Sequence, residues 1–89
     1  MKCGDVTGNL ICYGKGGLTY TYSLVYNKGG YPYVVATAQD KRGIRSEKSG
    51  LFPPDGGLAR AFLHMVARCA VSPYTLIEVY DEFLTHHRL

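Results

Sequence analysis

The side chains that could carry chemistry are few, and their spacing serves it poorly. His86 and His87 are adjacent, so on a helix they point about 100° apart, and no Cys or Asp nearby completes a zinc pattern. Glu78 and Glu82 share a helix face at i,i+4, with Asp81 beside them. Two carboxylates can begin a divalent-cation site, but the remaining ligands would have to come from elsewhere. An exposed acidic face, pairing with Arg60 or Arg68, is the simpler expectation. No serine or threonine lies in a G-x-S-x-G setting, and Gly14-Lys15-Gly16-Gly17 lacks the spacing of a phosphate-binding loop. No histidine has a carboxylate at useful spacing. These patterns predict a protein without catalytic residues, metal or cofactor.

Cys3, Cys12 and Cys69 make an odd count without paired spacing, which argues against a disulfide framework. Cys12 sits within an apolar strand pattern and Cys69 on the apolar side of a helix pattern. Both are expected as buried free thiols.

What remains is positive charge, unevenly placed. The net charge is +3, yet residues 1–54 carry seven Lys/Arg against three acids, and residues 55–89 carry three against four. Lys41, Arg42, Arg45 and Lys48 cluster in one turn and the polar stretch after it. Arg60, His64 and Arg68 recur at i, i+4 and i+8, three donors on one helical stripe that could grip a phosphate or carboxylate. Such a balance suits an acidic partner, and it also serves solubility.

The elements that must position these groups begin with a hairpin. Leu18 to Tyr26 alternates large apolar with small polar residues, the period of a half-buried strand. Asn27-Lys28-Gly29-Gly30 supplies the turn, and Tyr31 to Ala38 returns. A two- or four-residue loop places Tyr26 opposite Tyr31, Leu24 opposite Tyr33 and Tyr22 opposite Val35. One face then carries Leu18, Tyr20, Tyr22, Leu24, Tyr26, Tyr31, Tyr33 and Val35, and Val34 and Ala36 lie on the other. Leu10 to Tyr13 can add a strand before the hairpin. Ile44 to Ser49 can add a charged one after it, of the kind that blunts a sheet edge.

Pro53-Pro54 ends the β-rich half. Asp55 is a plausible helix cap, and Leu58, Phe62, Met65, Val66 and Cys69 form an apolar helical stripe. Ser72-Pro73 starts a second helix, with Leu76, Val79, Tyr80, Phe83 and Leu84 as its apolar face. The expectation is a single α+β domain over residues 1–89, β-rich over 1–52 and a helical pair over 55–88. Its three- or four-stranded antiparallel sheet has two C-terminal helices packed on one face. Those helices need the tyrosine face, which leaves Tyr26 and Tyr31, beside the turn, as the exposed pair.

The segment Ser72 to Leu84, SPYTLIEVYDEFL, resembles the closing helix of a family of small bacterial proteins of unknown function. Tyr13-Gly14 and the hairpin also fit that layout. Glu78 stands where the family has Asp, Asp81-Glu82 reverses its acid order, and Lys41 to Lys48 is additional. The resemblance implies the architecture and a bacterial or mobile-element setting, and it carries no activity.

Small size, absent catalytic motifs and many tyrosines point to a non-enzymatic protein that binds and inhibits another macromolecule. Its concrete form is a phage or mobile-element inhibitor of a host defence nuclease, of the anti-CRISPR kind. The alternative is a single-stranded nucleic-acid module using a basic, tyrosine-rich sheet, although the RNP signatures are absent. The expected contacts are Lys41, Arg42, Arg45, Lys48, Arg60, His64, Arg68, Tyr26 and Tyr31, with a protein or nucleoprotein partner. No apolar run is long enough for a membrane span, and Met1 to Asp5 lacks the apolar segment of a signal peptide. A cytoplasmic setting follows as the expectation.

Overall fold

The computed structural model describes the backbone of residues 2–6, 9–13 and 17–87, and side chains from 17 to 86. Five strands form one antiparallel meander in sequence order: β1 (Lys2–Val6), β2 (Asn9–Tyr13), β3 (Thr19–Tyr26), β4 (Pro32–Asp40) and β5 (Gly43–Lys48). Helices α1 (Gly57–Arg68) and α2 (Leu76–His87) follow, joined through a single 3₁₀ turn at Pro73–Thr75. The α+β architecture agrees with the sequence expectation, and the sheet is wider because Lys2–Val6 pairs with β2. The Gly14–Gly16 turn and the thiols of Cys3 and Cys12 lie outside the described residues.

The hairpin register differs from expectation by one residue, with a clear cause. Tyr26 pairs with Pro32, Leu24 with Val34 and Tyr22 with Ala36. The turn closes on Asn27 and Tyr31: the Asn27 amide donates to the Tyr31 carbonyl at 2.9 Å, and the Gly30 amide donates to the Asn27 carbonyl at 3.0 Å. Three residues are thus left in the loop, and Gly30 takes φ +84°, the left-handed residue that ends a three-residue hairpin loop. Asn27 Oδ1 accepts from both the Gly29 and Tyr31 amides at 2.9 Å. An odd loop flips every β4 side chain relative to an even one.

Tyr20, Tyr22 and Leu24 therefore share their face with Val34, Ala36 and Ala38, not with Tyr31, Tyr33 and Val35. Tyr22, Val34 and Ala36 are fully buried under the helices. Tyr33 and Val35 lie on the opposite, uncovered face with Thr21, Ser23 and Val25.

The helices share one core with the sheet. Buried on α1 are Ala59, Phe62, Leu63, Val66 and Ala67, so its stripe is turned from the expected one. Cys69 caps the helix and is exposed rather than buried. Asp55 sits one residue before the cap, which is Gly56, but its Oδ1 still accepts from the Gly57 amide at 3.0 Å. Ser72 behaves as its sequence predicts, accepting from the Tyr74 amide at 3.2 Å with Pro73 beginning the turn. On α2, Leu76 and Phe83 are buried, while Val79, Tyr80 and Leu84 pack against the core from its edge.

Phe52, in the segment after β5, is the hub between the layers. Its ring lies 5.2 Å from that of Phe62 and 5.1 Å from that of Tyr80, and Phe62 lies 5.1 Å from Phe83. Such ring pairs add about 0.5–1.5 kcal/mol each beyond area burial. The segment is strapped to the sheet: Ser49 Oγ accepts from the Val34 amide at 3.0 Å, and the Phe52 amide donates to the Pro32 carbonyl at 2.8 Å. Gly50 admits the ring of Tyr80, since a Cβ there would lie 2.5 Å from it. The Tyr80 hydroxyl donates to the Leu51 carbonyl at 2.6 Å.

The register has a direct consequence for stability. Tyr22→Ala should cost about 3–5 kcal/mol, as aromatic truncations in cores do, whereas Tyr33→Ala should cost less than half as much; urea unfolding of both variants measures the contrast. Equal losses would mean that both rings are core.

Burial also raises the Tyr22 phenol well above its ordinary value, aided by the neighbouring Tyr20 phenol and Cys69 thiol. Its hydroxyl donates to the Val71 carbonyl at 2.7 Å. The folded chain keeps this proton where the unfolded chain releases it, above about pH 10. The contribution is complete below that pH and is lost as pH rises beyond it. Tyr22→Phe should therefore flatten the fall in thermal midpoint between neutral and strongly alkaline pH.

Candidate functional site

Strand alternation divides the basic cluster. Lys41 and Arg42 form the tip between β4 and β5, where Asp40 Oδ1 accepts from the Arg42 amide at 2.8 Å. Arg45 pairs across from Ala38, on the side of the sheet that carries the helices, whereas Lys48 pairs across from Val35 on the uncovered side. The four cations thus face two surfaces and a tip.

On the helix side, the Arg45 guanidinium lies over the ring of Tyr74, 4.4 Å from its centroid. Tyr74 projects from the 3₁₀ turn with 69% of its surface exposed. Beside them opens a groove of ≈ 380 Å³, lined by Tyr20, Asp40, Arg42, Arg45, Ser72 and Tyr74 among others. Arg45 also approaches Glu47 at 3.9 Å, with both side chains about half in solvent; such a pair holds little energy. The guanidinium is oriented by the ring and still able to offer N–H donors outward, the geometry that suits carboxylate or phosphate oxygens.

On the uncovered face, Lys48 Nζ lies 5.9 Å from the centroid of the Tyr33 ring. Thr37 and Ser46 share a hydroxyl hydrogen bond of 2.9 Å on the same face. Tyr33, expected in the core, is therefore an available ring.

Arg60, His64 and Arg68 are exposed on α1 as their spacing predicts. They belong to the helix layer, and none lines the Arg42–Arg45 groove. Glu78, Asp81 and Glu82 are exposed on α2, but the expected pairing with Arg60 or Arg68 does not form among the described residues. Tyr26 and Tyr31 are exposed at 49% and 44%; the Tyr26 hydroxyl sits by the start of α1, 2.9 Å from where a Gly56 Cβ would lie. Among the described residues no group of three His, Cys, Asp or Glu is placed to hold a metal, and no helix is long and apolar enough to cross a membrane.

Sequence reasoning missed Tyr74 and Tyr33. The signal for Tyr33 was Gly30, which fits the last position of a three-residue loop and so an odd register. For Tyr74, the second residue after the capping serine, only the fold brings Arg45 within reach. No protein-family model matches the chain, and neither a curated protein nor a solved structure matches it significantly.

The Arg45–Tyr74 contact should be worth about 0.5–1 kcal/mol. A double-mutant cycle with Arg45→Ala and Tyr74→Ala, read by thermal or urea unfolding, should return a coupling of that size. Neither single variant should destabilise the fold severely, because both side chains are exposed. A coupling of zero would mean that the ring does not hold the guanidinium.

Proposed function

We propose that this chain is a non-enzymatic binding domain whose β4–β5 corner docks on an acidic surface of a protein or nucleoprotein partner. The observation that carries the reading is the Arg45–Tyr74 pair, set beside Arg42 in an open groove. Arginine and tyrosine are the residue types that dominate interface hot spots, and a guanidinium held on a ring loses less freedom when it binds. Lys41 at the tip adds charge that steers encounter more than it adds affinity. Inhibition is the narrower form of the proposal: the domain blocks a host defence nuclease by occupying it. Nuclease centres gather carboxylates to hold divalent metals, and such a surface suits Arg42 and Arg45. The cytoplasmic setting and the phage or mobile-element origin belong to the same proposal.

A second reading has its own observation. Tyr33 on the uncovered face, with Lys48 above its ring, supplies one stacking position and one backbone cation for single-stranded nucleic acid.

Comparative capture from bacterial and phage-infected lysates separates the two. The chain should retain an acidic protein that survives nuclease treatment and is lost with Arg42→Ala/Arg45→Ala but kept with Tyr33→Ala/Lys48→Ala. Retention that disappears with nuclease, and with the Tyr33/Lys48 variant, would favour the sheet face. Retention indifferent to both variants would overturn both sites.

A further inference from the structure

A second groove, of ≈ 510 Å³, runs between the two helices. From α1 it is lined by Ala61, Met65 and Arg68, and from α2 by Val79, Glu82, Phe83 and His86. Both sets follow the i, i+3/i+4, i+7 spacing with which helices in a bundle present a seam to another helix. Here the seam is open: Ala61 is exposed, and Met65 and Val79 are only half-buried.

The charges flanking this groove are specific. Arg68 enters it from α1 and Glu82 from α2, both exposed. The one ion pair recorded among the described residues is Arg45–Glu47, so Arg68 and Glu82 do not satisfy each other within the chain. A guanidinium on one wall of an apolar groove and a carboxylate on the other is a self-complementary pattern. Under a two-fold axis, Arg68 of one copy meets Glu82 of the other, and the reverse contact follows by symmetry. A partner carrying charge of a single sign would leave one of the two opposed by a like charge.

We propose that this interhelical groove is a self-association site, occupied by the helical pair of a second copy of the chain. Ala61, Met65 and Val79 form the apolar centre, and the two reciprocal Arg68–Glu82 pairs set the orientation. The surface is separate from the β4–β5 corner, so a dimer leaves both corners free.

Sedimentation equilibrium on the full chain tests this. The native chain should dimerise at micromolar concentrations. Arg68→Glu and Glu82→Arg should each weaken the dimer about tenfold or more, because each places like charges across the axis twice. Circular dichroism melting should show both variants folded, since both positions are exposed. Mixing the two variants in equal amounts should restore a dimer with one copy of each, because every changed charge then meets its opposite. Pairing within a chain would gain nothing from mixing. A native chain that stays monomeric to millimolar concentration, dimerisation indifferent to either substitution, or no recovery on mixing would each overturn the proposal.

Discussion

Which residues of β4 share a face with Tyr22 is decided by one carboxamide oxygen. Asn27 Oδ1 accepts from two amides of the turn, and with the Asn27–Tyr31 backbone bond it fixes a loop of three residues. These bonds are individually modest, about 0.5–1.5 kcal/mol net each. Their leverage is geometric. With Val34 and Ala36 inward, the floor under α1 is low enough for the whole Tyr22 ring to lie beneath the helix, where it and Phe62 are both fully buried. The other register would raise two more tyrosines into that space and lift the helix off the sheet.

The same constraint governs how the helices are held. Val34 and Pro32 receive the strap from Ser49 to Phe52 through main-chain and hydroxyl bonds. Phe52 then delivers an aromatic ring between Phe62 on α1 and Tyr80 and Phe83 on α2. A one-residue shift of β4 would turn those main-chain groups away from the β5 edge of the strand. Turn, strap and ring cluster are therefore one device, and the position of the 3₁₀ turn that carries Tyr74 over β5 depends on it.

Most elements were legible in the sequence, because each rests on local pattern: alternation in β3, Ser72-Pro73 before α2, and prolines closing the β half. Strand β1 (Lys2–Val6) was not, since its glycine and charged residues show no strand alternation. The apolar face of α2 was legible for the same reason, since Leu76 and Phe83 recur at helical spacing. Register was harder to read, because two- and four-residue loops give one answer and a three-residue loop the other. Phe52 was also missed: it lies in an irregular segment where no periodicity marks a residue as core. The exposure of Cys69 follows from its place at the helix cap, where the chain turns away from the core and spacing along the helix no longer predicts direction.

For the candidate site, residue types were legible and their grouping was not. Arg45 and Lys48 are neighbours in sequence, yet strand geometry sends an odd and an even position to opposite faces. A run of cations in a strand therefore defines two half-surfaces, each completed by whatever its own face supplies. Arg45 finds Tyr74 from a turn 29 residues later, and Lys48 finds Tyr33 from the neighbouring strand. These rings separate the pair from ordinary solubilising charge, since a cation held over an aromatic face is oriented before any partner arrives. The helix layer obeys the same logic at different spacing: Arg60, His64 and Arg68 share a stripe, but only Arg68 reaches the seam where an acid from the other helix faces it. Function in this chain is a property of faces, and each face is assembled by the register that Asn27 sets and the ring cluster that Phe52 completes.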